Sequence, residues 1–250
     1  MLIDLSVVIP CYNEEEGIPA LSETVDRLGT LIAERGLSWE LLLINDGSRD
    51  GTAEALQRHF GPKVNARVLT HLKNRGVGAA MRTGFEAARG EIVTCYDADC
   101  AYPVEDLLRL YELVRGGADV ATATPFIEGG SAEGIPLHRR VLSQGVSSLY
   151  RGVLGGPAAT IQTFSCAFRA YRRDILRSIA FESDGFPAAS EILARLLLRG
   201  AKVAELPSVL SDRRFGASKM RKLETIGAHL RLLVRLAGWR WVVVHPAGRS

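Results

Sequence analysis

Residues 91–100 read EIVTCYDADC, a short apolar, β-branched run followed at once by two aspartates one residue apart. A run this short, apolar on both faces and bounded by polar residues, reads as a strand buried in a parallel sheet. The same signature recurs to the N-terminal side, in LSVVIP (5–10), ELLLIN (40–45) and ARVLTHL (66–72), and again in ADVATAT (118–124). Between these runs, residues 18–35, 52–60, 77–88 and 103–115 carry apolar residues at helical spacing. Strands alternating with amphipathic helices specify an α/β domain, a mostly parallel sheet with helices on both faces.

The pattern loosens beyond Thr124. PFIEGGSAEGIP (125–136) reads as a mobile loop, 137–154 as a helix, FSCAFRAYR (164–172) as a strand, 187–199 as a helix and KVAELP (202–207) as a short strand. A polar basic loop, SDRRFGASK (211–219), leads to an apolar tail with spaced arginines. The expected division is a main α/β domain over residues 1–222 and an amphipathic helix with a tail over 223–250.

The chain has 250 residues, 47% of them hydrophobic, enough for one large domain with a real core. A net charge of +3 does not mark a nucleic-acid binder. Cysteines 11, 95, 100 and 166 form no CxxC pair, so reduced thiols and a cytoplasmic setting are expected. The first sixteen residues, MLIDLSVVIPCYNEEE, lack the basic start of a signal peptide, and no apolar run approaches the ~18 residues of a membrane span.

Ligands of open parallel sheets bind beyond the carboxyl ends of the strands, so the polar residues there are the candidates. Asp97 and Asp99 can turn two carboxylates toward one hard divalent cation, Mg²⁺ or Mn²⁺, that also takes phosphate oxygens. A solvated turn with capping acids is the other reading. Asp46, after ELLLIN, either faces a nucleotide's base or ribose or simply starts an Asp-Gly turn. Gly76 and Gly78 open a helix whose backbone N–H groups suit phosphate, and close helix–sheet packing accounts for them equally well.

Taken together, LSVVIPCYNEEEGI, ELLLINDGSRDGT, NRGVGAAMRTGFEAARGEIVTCYDADC and DRRFGASK, in this order, resemble family 2 glycosyltransferases, over residues 4 to 223. Within that family the likeness is to dolichyl- or polyprenyl-phosphate mannosyl- and glucosyltransferases. The resemblance implies a GT-A fold and transfer of a hexose from a GDP- or UDP-sugar to a lipid phosphate. It places Pro10, Tyr12 and Glu14 in the nucleotide pocket, with Ile44 and Asp46 against base and ribose. It puts the metal on Asp97 and Asp99 beside the Ala98 backbone, Arg140 and Ser143 in an Arg-x-x-Ser helix, and Arg213 and Lys219 over the phosphates. Glu191 falls near a glutamate that family members carry on the acceptor side; an acid favoured by the helix N-terminus explains it as well.

Three departures bear on the acceptor. Cys100-Ala101-Tyr102 stands where the family often has Gln or His, Thr124-Pro125 where it has Gly-x-Arg, and Thr163 to Arg169 lacks its usual Asp. A soluble hydroxyl acceptor is therefore the alternative, and it needs a base, with Glu191 the first candidate and Asp99 the second. A nucleotidyltransferase and a non-catalytic nucleotide-sugar binder are weaker rivals. CYNEEE is the wrong chemistry for the first, and intact Asp97, Asp99, Arg213 and Lys219 speak against the second. In HLRLLVRLAGWRWVVV (229–244), Arg231 and Arg235 share one face and leucines fill much of the rest. Such a helix lies on the cytoplasmic face of a membrane, or packs on the domain or on a second subunit, which leaves a homo-oligomer open.

Overall fold

The computed structural model describes residues 3–212 and 222–244, and side chains of the second segment from 223 to 239. In chain order the elements begin β1 (Ile3–Cys11), α1 (Ile18–Glu34), β2 (Trp39–Asn45), α2 (Thr52–Phe60), β3 (Ala66–Thr70), α3 (Val77–Ala87), β4 (Gly90–Cys95), α4 (Glu105–Arg115) and β5 (Val120–Thr124). They continue with β6 (Ser131–Glu133), α5 (Leu137–Leu154), β7 (Arg169–Arg172), α6 (Arg173–Arg177), α7 (Ala188–Leu198), β8 (Val203–Pro207), β9 (Val209–Ser211) and α8 (Lys222–Val244).

Leu5 to Ile9 and Leu41 to Ile44 are all buried, because helices cover both faces of the sheet. One core lies under α1, α2 and α4, around Val7, Ile9, Leu21 and Leu107; the other lies under α3, α5, α7 and α8, around Val8, Ile44, Phe85 and Leu193. Seven strands pair in the order β3-β2-β1-β4-β7-β5-β8. All neighbours are parallel except β7, which runs antiparallel to both β4 and β5. The chain leaves β5 at the carboxyl edge, builds α5 on that side, and re-enters from the same edge, so β7 must run backwards.

Two expectations change here. Of FSCAFRAYR only Arg169–Arg172 joins the ladder, and the stretch before it stays at the cleft. The segment expected to be a mobile loop contributes β6, which pairs in parallel with β9 through Ser131↔Val209 and Glu133↔Ser211. The tail helix α8 buries Leu232, Leu233 and Leu236 in the second core. Those leucines therefore face the domain and not a bilayer; Leu230 and Val234 stay exposed. Among the described residues no helix is long and apolar enough to cross a membrane.

Candidate active site

The carboxyl ends of β1, β2 and β4 meet at a cavity of about 220 Å³ lined by Pro10, Tyr12, Glu14, Asp46, Asp97, Ala98 and Asp99. A second cavity, of about 310 Å³, opens beside it under α5 and is lined by Asp97, Asp99, Arg140, Ser143 and Thr163. The two acids thus stand at the boundary between both spaces. The tight turn that presents them is closed by the Cys100 N–H to the Asp97 carbonyl (3.2 Å) and the Ala101 N–H to Asp99 Oδ1 (3.2 Å). Cys100 takes a left-handed backbone (φ 51°) to make that turn and lines neither cavity.

The loops around the first cavity are tied to one another. The Asn13 N–H donates to Ser48 Oγ (3.0 Å), the Arg49 N–H to Asn13 Oδ1 (2.8 Å), and the Glu14 N–H to Thr52 Oγ1 (2.8 Å). Asp46 is buried and heavily engaged. Oδ1 takes the Arg75 N–H (3.0 Å) and lies 2.6 Å from His71 Nδ1; Oδ2 takes the Gly76 N–H (2.8 Å) and the Asn74 amide (3.0 Å). Its carboxylate braces the 74–76 loop while its flank lines the cavity. Asn74 opens the glycine-bearing loop already picked out along the sequence, whereas His71 was not singled out; it follows β3, where a polar residue at a strand end is the signal.

Three expected site residues sit elsewhere. Ile44 is wholly buried in the second core, so it supports the first cavity from below without lining it. Gly78 does not offer its N–H to phosphate: that group and the Ala79 N–H donate to the Asp184 carbonyl at 2.6 and 3.3 Å. A Cβ on Gly78 would lie 2.2 Å from the Ser183 carbonyl oxygen, so close packing is the reason for the glycine. Glu191 is fully buried, accepts the N–H groups of Glu182 (3.1 Å) and Ser183 (2.8 Å), and pairs with Arg195 (2.8 Å). Burial would push its carboxyl up, but the hydrogen bonds from Ser183, Glu182 and Arg195 outweigh that and hold it below the ordinary glutamate range. It lines neither cavity and is not a base for the cleft. Arg213 and Lys219 lie outside the described residues.

The second cavity rests on Arg169, an arginine with no exposed surface. It donates to Thr122 Oγ1 (2.9 Å) and to the carbonyls of Ala189 (2.5 Å), Thr163 (3.1 Å) and Phe164 (2.8 Å), joining β5, the cleft segment and α7. A lone arginine in an apolar stretch was its sequence signal. In the cavity wall Ser143 Oγ meets Ser165 Oγ (3.0 Å), and Arg139 pairs with Asp212 (3.6 Å). Burial pushes the Cys166 thiol up to about 11, so it stays protonated and inert.

Residues 6–180 match the model of glycosyl transferase family 2. The chain is 31% identical to the dolichol-phosphate mannosyltransferase of Pyrococcus furiosus over 94% of its own length and 64% of that protein's. It is also 31% identical to the polyprenol monophosphomannose synthase of Mycolicibacterium smegmatis, over 93% of this chain and 85% of that one. Among solved structures, glucosyl-3-phosphoglycerate synthase of Mycobacterium tuberculosis, in complex with Mn²⁺, uridine diphosphate and glucosyl-3-phosphoglycerate, has the same fold. The TM-score is 0.66 at 20% identity, over 95% of this chain and 80% of that one.

Proposed function

The chain belongs to glycosyl transferase family 2, and from that premise we propose that it is an inverting enzyme moving a hexosyl group from a GDP- or UDP-sugar to a polyprenyl phosphate. The observation that carries this reading is the make-up of the second cavity. It sets Arg140, which makes no ion pair among the described residues, near the Asp97–Asp99 pair, and its described lining holds no histidine or glutamate to act as a base. The further carboxylate among the described lining residues, Asp212, is paired with Arg139. A hydroxyl acceptor must lose a proton to a base as the new bond forms. A phosphate monoester is already an anion near neutral pH and needs only a cation to orient it. The similarity to two lipid-phosphate mannosyltransferases supports the same acceptor.

In this reading the nucleotide lies in the first cavity, against Tyr12 and Glu14, and the acceptor phosphate lies on Arg140 and Ser143. An acceptor oxygen attacks the anomeric carbon as the bond to the diphosphate breaks, and the electron pair leaves with the nucleoside diphosphate. One displacement inverts the centre. Asp97 and Asp99 suit Mg²⁺ or Mn²⁺, because such ions are held by one or two carboxylates plus substrate phosphates. Among the described residues no cluster of three or more ligating side chains forms a closed protein cage. When bound, the ion would neutralise the diphosphate's charge; Arg213 and Lys219 would add to that charge balance. The solved neighbour's Mn²⁺ and uridine diphosphate agree with this assignment. A lipid acceptor is met at a membrane surface, and the exposed Leu137 and Val141 of α5 and Leu230 and Val234 of α8 supply apolar side chains for peripheral contact on the cytoplasmic face.

The test is nucleotide release from a panel of GDP- and UDP-sugars, with and without polyprenyl phosphate, in Mn²⁺ and in EDTA. Metal-dependent release that requires the lipid phosphate is expected. Release indifferent to the lipid would move the acceptor to a soluble hydroxyl compound, and no metal-dependent donor binding would remove the assignment of Asp97 and Asp99.

A further inference from the structure

Four side chains line both cavities: Val77, Asp97, Asp99 and Phe186. Any group handed from a nucleotide in the first space to an acceptor in the second must pass between them. The acids already have a role, and Val77 opens α3. Phe186 has none so far. The residue is 43% exposed, and its ring pairs with none of the aromatic rings that contact one another in the two cores.

A single exposed aromatic residue is ordinary on a surface, but this one stands on a backbone anchored from three helices. The Glu191 carboxylate of α7 holds the N–H groups of Glu182 and Ser183. The start of α3 donates to the Asp184 carbonyl, and Arg82 pairs with the Asp184 side chain at 2.9 Å. Arg235 of α8 reaches Glu182 at 2.9 Å. The turn then closes with the Ala188 N–H to the Gly185 carbonyl at 3.1 Å. A ring carried on so fixed a backbone, where these two cavities and two carboxylates meet, is placed to contact a ligand.

We infer that Phe186 is the surface on which the transferred pyranosyl ring rests, an inference that depends on the nucleotide-sugar reading of the site. A pyranose has an apolar C–H face and a rim of hydroxyls. An aromatic face serves the first, and the neighbouring carboxylates accept hydrogen bonds from the second. In this pose the base and ribose lie against Tyr12 and Glu14 and only the diphosphate reaches the acids at the junction, so Phe186 selects for the sugar beyond it and not for the base.

The experiment is calorimetric titration of the full chain in Mn²⁺, without acceptor, using GDP against GDP-mannose and UDP against UDP-glucose. Phe186→Ala should leave the affinity for the free nucleoside diphosphate within twofold of the original and weaken the matching nucleotide-sugar about tenfold. Phe186→Trp should restore most of that loss, and Phe186→Leu, which keeps bulk without an aromatic face, should not. Equal weakening of nucleotide and nucleotide-sugar would mean that the ring only shapes the loop and would overturn the inference. So would an unchanged nucleotide-sugar affinity. If the unaltered chain binds neither GDP nor UDP, the transferase reading itself fails and takes this inference with it.

Discussion

Asp97 and Glu191 are both acids near the carboxyl edge of the sheet, and their surroundings give them opposite tasks. Asp97 lines two open cavities, whereas the Glu191 carboxylate is spent inside the protein on two backbone N–H groups and Arg195. Asp97→Asn or Asp99→Asn is expected to lower transfer by about 10²-fold or more, because the cation that would neutralise the diphosphate loses a carboxylate ligand, with the urea midpoint of unfolding nearly unchanged. Glu191→Gln is expected to behave the other way. It should cost about 2–3 kcal/mol of stability by urea unfolding, since a charged buried acceptor is lost beside Arg195. The pH profile of turnover should keep its shape, because Glu191 takes no proton from the acceptor. A lost acidic limb in that profile would restore Glu191 as the base.

At the scale of the element, the start of α3 is the instructive piece. Its glycines suggested N–H groups open to a phosphate, yet those of Arg75 and Gly76 go to Asp46, and those of Gly78 and Ala79 to the Asp184 carbonyl. The helix end is a joint between β2 and the loop that carries Phe186. Gly78→Ala should therefore destabilise the fold by about 1–3 kcal/mol. The added methyl would meet the Ser183 carbonyl oxygen at 2.2 Å and the Ala188 Cβ at 2.7 Å. Chemical denaturation checks this, and an unchanged midpoint would show that the loop moves aside freely.

For the whole molecule, the mode of attachment of α8 sets a pH limit. His229 is buried against α5, with Nδ1 2.9 Å from the Tyr150 hydroxyl, and burial lowers its pKa from 6.5 to about 4. Above pH 6.5 the imidazole is neutral in both folded and unfolded chains, and it costs nothing. As the pH falls from 6.5 toward 4, the unfolded chain takes up a proton that the folded chain refuses, so stability drops, by about 3 kcal/mol in all from this group. Carboxylates held low in the fold, such as Asp4 and Asp50, add their own loss as they protonate. Comparing urea unfolding of the original chain with that of His229→Gln from pH 7.5 to 4.5 isolates the histidine. The original chain should lose its advantage as the pH falls, and parallel curves would place His229 in contact with solvent.

The strands of the donor half, the acidic pair and the cleft at their carboxyl ends could be read along the chain. Each depends on neighbours in sequence: apolar runs buried on both faces, turn residues directly after them, and the rule that ligands bind where the strands end. The reversal of β7, the pairing of Ser131–Glu133 with Val209–Ser211, and the withdrawal of Glu191 from the cleft could not be read in that way. Each of these is settled by groups brought together from distant parts of the chain, chosen to satisfy backbone and charge once the layers have packed. The same holds for Phe186: its sequence marks only an aromatic in a turn, and the meeting of two cavities at its ring exists only in three dimensions.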